Sequence, residues 1–152
     1  MLELTTNQKG AIAEAAVVAA AAKLGIDVAR PMWDVSYDLI LDLHGRLLRV
    51  QCKWAIRVGD IIYVRCRRCR RGKEGLIHRG YSVEEIDAVA AYCPDVDRCY
   101  LIPQAVAVGQ TAVSLRLTPA RNNQREKIRW AETYEFAATL SSLGPIAQLG
   151  ER

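Results

Sequence analysis

The chain has 152 residues, 51% of them hydrophobic and 25% charged, with a formal net charge of +4. That mix excludes a disordered chain, and the length suits a single domain with its own core, expected over residues 1–143. Neither a membrane span nor a secretory signal is expected: the longest apolar run, residues 11–22, is too short, and the amino end is polar.

Thr5 or Thr6 can cap a helix that runs to about Lys23, with Gly25 just beyond its end. From residue 11 to 22 every position except Glu14 is Ala, Ile or Val, so this helix is expected to be buried almost all round. Pro31 separates it from a strand near residues 35–43. His44-Gly45 suits a two-residue turn, since Gly tolerates positive φ and His is enriched there. A return strand is expected over about residues 46–54. Gly59-Asp60 leads into IIYVRCR, whose β-branched run reads as a third strand. The next block, residues 65–79, holds six Arg and one Lys against one Glu, and with Gly72, Gly75 and Gly80 it reads as a loop. Ser82 and Glu85 make a capping box for a helix that Pro94 ends.

DRCYLIP and AVSLRLT read as short strands, and RNNQREKIRWAETYEFAATL as an amphipathic helix with its basic end first. Gly144-Pro145 stops that helix, and residues 144–152 are expected to form a flexible tail. The tail can also be spelled by codons resembling the D-arm region of a transfer RNA gene, into which the reading frame would then run. The order of elements implies an α/β fold, a mixed β-sheet flanked by α-helices. Five cysteines without secretory context are expected to be reduced thiols of a cytoplasmic protein. A zinc site from Cys66, Cys69, Cys93 and Cys99 is disfavoured by the loose spacing of the second pair.

Register concentrates the chemistry in the hairpin. If Leu43 and Arg46 flank the turn, Asp38 lies across from Gln51, and alternation puts Lys53 on the same face. The other face is then uniformly apolar, and a slip of one residue would bury the polar trio. Glu14 is the second oddity. A buried carboxylate without a partner is costly, so Glu14 is expected to be protonated, ion-paired or bound to a cation. The helix precedes the hairpin and is expected to pack on it, bringing Glu14 towards Asp38 and Lys53. Glu14, Asp38 and the Gln51 amide offer the hard oxygen ligands that Mg²⁺ prefers, with Mn²⁺ as a substitute. A nearby Lys can neutralise charge building on a phosphate, so the set suits phosphodiester hydrolysis. The single-sign basic block favours a polyanion. Arg65, Arg67, Arg68, Arg70, Arg71, Lys73 and Arg79 are its candidate DNA contacts, joined by Arg121, Asn123, Gln124 and Arg125 at the start of the last helix.

The set Glu14, Asp38 and Gln51-x-Lys53 resembles the core of the PD-(D/E)xK nuclease superfamily: a helix Glu, an Asp at the hairpin entry, then acid-x-Lys on the return strand. Ser36-Tyr37 precedes Asp38 where the motif has Pro, and Gln51 stands where Asp or Glu is usual, which removes one negative ligand. The longer stretches NQKGAIAEAAV, YDLILDLHGRLLRVQCKW, EEIDAVAAYCPDVDRCYLIP and NNQREKIRWAETYEF resemble the group I intron-associated homing endonuclease branch, over most of residues 7–136. The resemblance implies a restriction-endonuclease-like core and a Mg²⁺-dependent endodeoxyribonuclease acting on double-stranded DNA, assembled as a homodimer or homotetramer. Glu14, Asp38, Gln51 and Lys53 would be its catalytic residues. A Holliday-junction resolvase-like nuclease would keep this chemistry on another substrate shape. A DNA-binding module without cleavage would use the quartet as a buried polar network.

Overall fold

The computed structural model describes residues 2–72, 75–80, 85–118 and 128–143, with the backbone alone over 68–72 and 75–80. The tail and residues 119–127 lie outside the described residues. Chain order begins with α1 (Thr6–Lys23), β1 (Asp27–Ala29), β2 (Leu39–Asp42), β3 (Leu47–Trp54), β4 (Ile56–Val58) and β5 (Ile61–Arg65). It continues with β6 (Arg67–Gly72), β7 (Gly75–Gly80), β8 (Ala88–Cys93), β9 (Arg98–Pro103), α2 (Gln104–Ala107) and β10 (Ala112–Arg116), and ends with a 3₁₀ turn at Ala131–Tyr134 and α3 (Phe136–Leu143).

The turn between β2 and β3 is the one expected. His44 and Gly45 both take positive φ, 55° and 114°, and the Leu43 N–H donates to the Arg46 carbonyl at 2.8 Å. The Asp42 carboxylate steadies the turn by accepting from the His44 N–H at 2.9 Å. Leu39 therefore pairs with Val50 and Leu41 with Leu48, which extends to Asp38 opposite Gln51. Along β3 burial alternates as the register demands: Leu48, Val50 and Cys52 are buried, while Arg49, Gln51 and Lys53 are half-buried.

Five strands form one mixed sheet in the order β1-β2-β3-β8-β9, parallel between β3 and β8 and antiparallel elsewhere. On one face Leu39, Leu41, Leu48, Val50, Cys52, Ala88, Ala90 and Leu101 pack against Val17 and Ala21 of α1 and Phe136 and Leu140 of α3. On the other, Val89, Ala91, Tyr100 and Ile102 meet Ile62, Val64, Val113 and Leu115 from a smaller antiparallel sheet, β10-β5-β4.

Four expectations change. The Ser82 cap lies outside the described residues, and the helix expected to end at Pro94 is replaced in its described part: Ala88–Cys93 is strand β8, flanked by strands on both sides. Its Ala88, Val89, Ala90, Ala91 and Cys93 are all buried, and a strand covered on both faces shows no alternation to read. The basic block is not a loop: β6 and β7 pair antiparallel from Arg67 with Gly80 to Gly72 with Gly75. The last helix is broken in its described part. Trp130 bridges Arg116, a 3₁₀ turn follows, Glu135 bridges Tyr100, and only then does α3 begin. Finally, α1 is buried along one stripe, Ala13, Val17 and Ala21, and not all round. Its ends are as expected: the Thr5 hydroxyl accepts from the Gln8 N–H, the Gln8 side chain accepts from the Thr5 N–H, and Gly25 leaves with φ 74°. No described helix is long and apolar enough to cross a membrane.

The Asp87 side chain reinforces the joint between β3 and the start of β8. The Asp87 carboxylate accepts from the Arg49 backbone N–H at 2.8 Å and from its guanidinium at 3.1 Å through both oxygens. Burial works to raise the Asp87 carboxyl, but its bonds to Arg49 outweigh it and hold the group below the ordinary carboxylate range. A lowered folded-state value contributes stability that is present above the unfolded value and lost as pH falls through the folded one. Asp87→Ala should destabilise the fold by about 1–3 kcal/mol near neutral pH, measured by urea denaturation. The gap to wild type should close in acid, below about pH 4; a gap that persists there would assign the loss to packing.

Candidate functional site

Alternation and the turn aim the half-buried side chains of β3 towards the smaller sheet, level with Val89 and Ala91 of β8. Lys53 reaches from there to the backbone carbonyl of Arg67 and donates to it at 3.1 Å. The first residue of the basic hairpin thus sits beside this lysine. Asp38 stands at the mouth of β2. Its N–H donates to the Val50 carbonyl at 2.9 Å, and its carboxylate accepts from the Cys52 N–H at 2.9 Å. These two bonds fix both the backbone and the carboxylate of Asp38 against β3.

Glu14 arrives from the other direction. Helix α1 packs on the leucine face, opposite the face of Gln51 and Lys53. Glu14 lies beside the buried stripe of Ala13 and Val17, close enough to Asp38 for its charge to act there. It is ion-paired, and its partner is Arg30. Sequence reasoning missed Arg30, because β1, the three-residue strand that delivers it, carries no periodic signal. The one available clue was Glu14 itself, a carboxylate in an apolar helix that required a cation.

Four charges therefore gather where the hairpin opens: Glu14, Arg30, Asp38 and Lys53. Asp38 reports the balance. Burial pushes its carboxyl up from the ordinary value, the Cys52 N–H pulls it down, the Glu14 charge pushes it up again, and Lys53 and Arg30 pull it down. The net direction is upward. The charges of Asp38 and Glu14 oppose each other, which a divalent cation would relieve, and Gln51 stands across from Asp38 on the adjoining strand with an amide oxygen. Asp38 and Glu14 carry the charge and the hard oxygen atoms that such an ion takes. Beneath them Cys52 is buried, and its thiol is pushed well above the ordinary range by burial, then by the charges of Asp38 and Glu14.

The remaining candidates divide by position. Arg65 is exposed at the end of β5, and Arg67 is half-buried at the root of the basic hairpin. Arg68, Arg70 and Arg71 lie in β6 and Arg79 in β7, where only the backbone is described. Lys73, Arg121, Asn123, Gln124 and Arg125 lie outside the described residues.

The sequence pattern of the PD-(D/E)XK endonuclease family matches residues 4–137. Among solved structures, the chain is similar to the bacterial homing endonuclease I-Ssp6803I, with 28% identity, a TM-score of 0.74, and coverage of 95% of this chain and 98% of that one. Among curated proteins, none matches.

The raised Asp38 carboxyl implies a cost to the fold. A folded-state value above the unfolded one means that stability declines as pH rises through that range. Asp38→Asn should therefore raise the thermal midpoint of the metal-free protein near neutral pH, since Asn keeps an oxygen for the Cys52 N–H. Partial exposure limits the gain to about 1 kcal/mol. A lower midpoint in EDTA would overturn this account of the carboxylate pair.

Proposed function

The chain belongs to the PD-(D/E)XK endonuclease family, and we propose that it is a Mg²⁺-dependent DNA endonuclease of the homing type, cutting with Glu14, Asp38, Gln51 and Lys53. The observation that carries the site is the gathering of Asp38, Glu14 and Lys53 at the open end of one hairpin, with the carboxylates coupled. Nucleases of this family generally use divalent metal ions. The homing assignment draws on the 28% identity to I-Ssp6803I over nearly the whole of both chains. A reducing cytoplasm suits the buried thiols of Cys52, Cys66 and Cys93.

Asp38 and Glu14 would hold the cation, with the Gln51 amide as a neutral third ligand. When bound, a divalent ion lowers the pKa of a coordinated water and polarises the phosphoryl oxygen. The chain's own part is placement. Asp38 is oriented by the Cys52 N–H, so one carboxylate oxygen is fixed before any ligand arrives. Hydrolysis adds a water oxygen to phosphorus and breaks one phosphorus–oxygen bond. The Lys53 ammonium, held through Arg67, would stand by the phosphate on which negative charge grows.

The basic hairpin rises from the same place. Because Arg67 is bonded to Lys53, a duplex presenting a phosphate to the site would run along β6 and β7, with Arg65, Arg68, Arg70, Arg71 and Arg79 available to its backbone. Assembly as a homodimer or homotetramer would let two such sites cut both strands.

Lys53→Ala should reduce nicking of plasmid DNA in Mg²⁺ by about 10²–10³-fold while leaving duplex binding within about threefold of wild type. Undiminished nicking would remove Lys53 from the mechanism. Replacing Arg68, Arg70 and Arg71 together should weaken binding to all sequences and flatten the salt dependence by about one unit for each phosphate that is no longer neutralised. An unchanged slope would make these residues a solvated surface.

A further inference from the structure

Arg30 has no place in the catalytic set above, yet it is the residue that holds Glu14. Its backbone is fixed twice. It follows directly on β1, whose Ala29 pairs with Ile40, and it precedes Pro31, which restricts it to extended conformations. Its side chain is not fixed to the same degree: it is 59% exposed, while Glu14 is 28% exposed. A long side chain on a fixed stem, mostly in solvent, can leave one anion for another without moving the fold. Two anions are within its range. One is Glu14. The other is whatever binds beside Asp38, which lies two residues before Ile40, the partner of Ala29.

We propose that Arg30 is a cation-displaced clamp: it neutralises Glu14 until a divalent ion takes the carboxylates, and then turns its guanidinium to the DNA phosphate at the cut. The physical reason is competition for one charge. A divalent ion on Glu14 and Asp38 takes over the neutralisation and repels the guanidinium beside it. Arg30 is then left beside the position of the phosphate, where its planar fork matches two phosphate oxygens. Until then the pair keeps two carboxylates from standing uncompensated together. The order of events follows: the metal-free site grips DNA without Arg30, and the metal-loaded site grips it with Arg30.

This rests on the reading of Glu14 and Asp38 as metal ligands, and calorimetric titration of the whole protein with Ca²⁺ in the absence of DNA separates the two. Arg30→Gln should bind Ca²⁺ about threefold more tightly than wild type, the size expected from removing a partly exposed competing pair. The same variant should bind duplex DNA more weakly than wild type in Ca²⁺, with a salt slope smaller by about one, and equally well in EDTA. Arg30→Lys should restore the Ca²⁺ affinity and only part of the DNA affinity, since an ammonium lacks the fork. A Ca²⁺ affinity that is unchanged or lower in Arg30→Gln overturns the clamp, as does a DNA defect of equal size with and without the cation. Asp38→Asn binding Ca²⁺ as tightly as wild type overturns the metal reading itself, and the clamp with it. Thermal melting of each variant in EDTA checks that the fold is kept.

Discussion

The register of one hairpin governs the rest of this structure. His44 and Gly45 accept positive φ, so β2 and β3 meet with Leu39 against Val50. From that single alignment follow the buried leucine face that receives α1, the half-buried face of Gln51 and Lys53, and the position of Asp38 beside the Cys52 N–H. Period-two geometry makes the alignment all or nothing. A slip of one residue would put Lys53 under α1 and the leucines in the seam with the smaller sheet. The hydrophobic cost of that exchange locks the geometry of the candidate site, so the core and the site are specified by the same contacts.

The hairpin was legible because its determinants are local: a turn pair, an alternation and a polar residue at each end. The capped start of α1 was legible for the same reason. What failed depended on distant partners. AVAAYC reads as helix because Ala favours helices and a capping box precedes it, and only burial between β3 and β9 makes it a strand. The run RRCRRG has no alternation of apolar and polar residues, so period two leaves no hydrophobic trace in it. The alanines of α1 gave the opposite error. Ala favours the helix wherever it stands, so Ala15 and Ala19, which are exposed, look like Ala13 and Ala21, which are not. Arg30 was illegible because its partner Glu14 lies sixteen residues away, across a connection set by a three-residue strand.

Charge explains why Gln51 is compatible with the site. An acid at that position would face Asp38 directly across the hairpin, in a region already short of solvent. The Asp38 carboxyl is pushed up by burial and by Glu14 even with Lys53 and Arg30 opposing. A third carboxylate would add to that repulsion in the metal-free protein, whereas an amide keeps an oxygen donor without the charge. In the proposed site, an amide at this position would exchange some attraction for a cation against a metal-free state that the fold tolerates. Arg30 works in the same direction from the other side of the sheet.

On the proposed reading, the bond from Lys53 to the Arg67 carbonyl would join catalysis to binding. An ammonium carries three donors, and one of them goes to the backbone at the root of β6. The hairpin and the lysine therefore set each other's positions. If a duplex engages β6 as proposed, it would pull on the strand whose first carbonyl steadies Lys53, and a bound backbone and an oriented ammonium would be favoured together. A free loop in place of this hairpin could carry the same positive charge, but its root would not be held in register with β3. In the proposed site, the pairing of β6 with β7 would then have a consequence beyond its own stability, since it would seat the basic hairpin against Lys53.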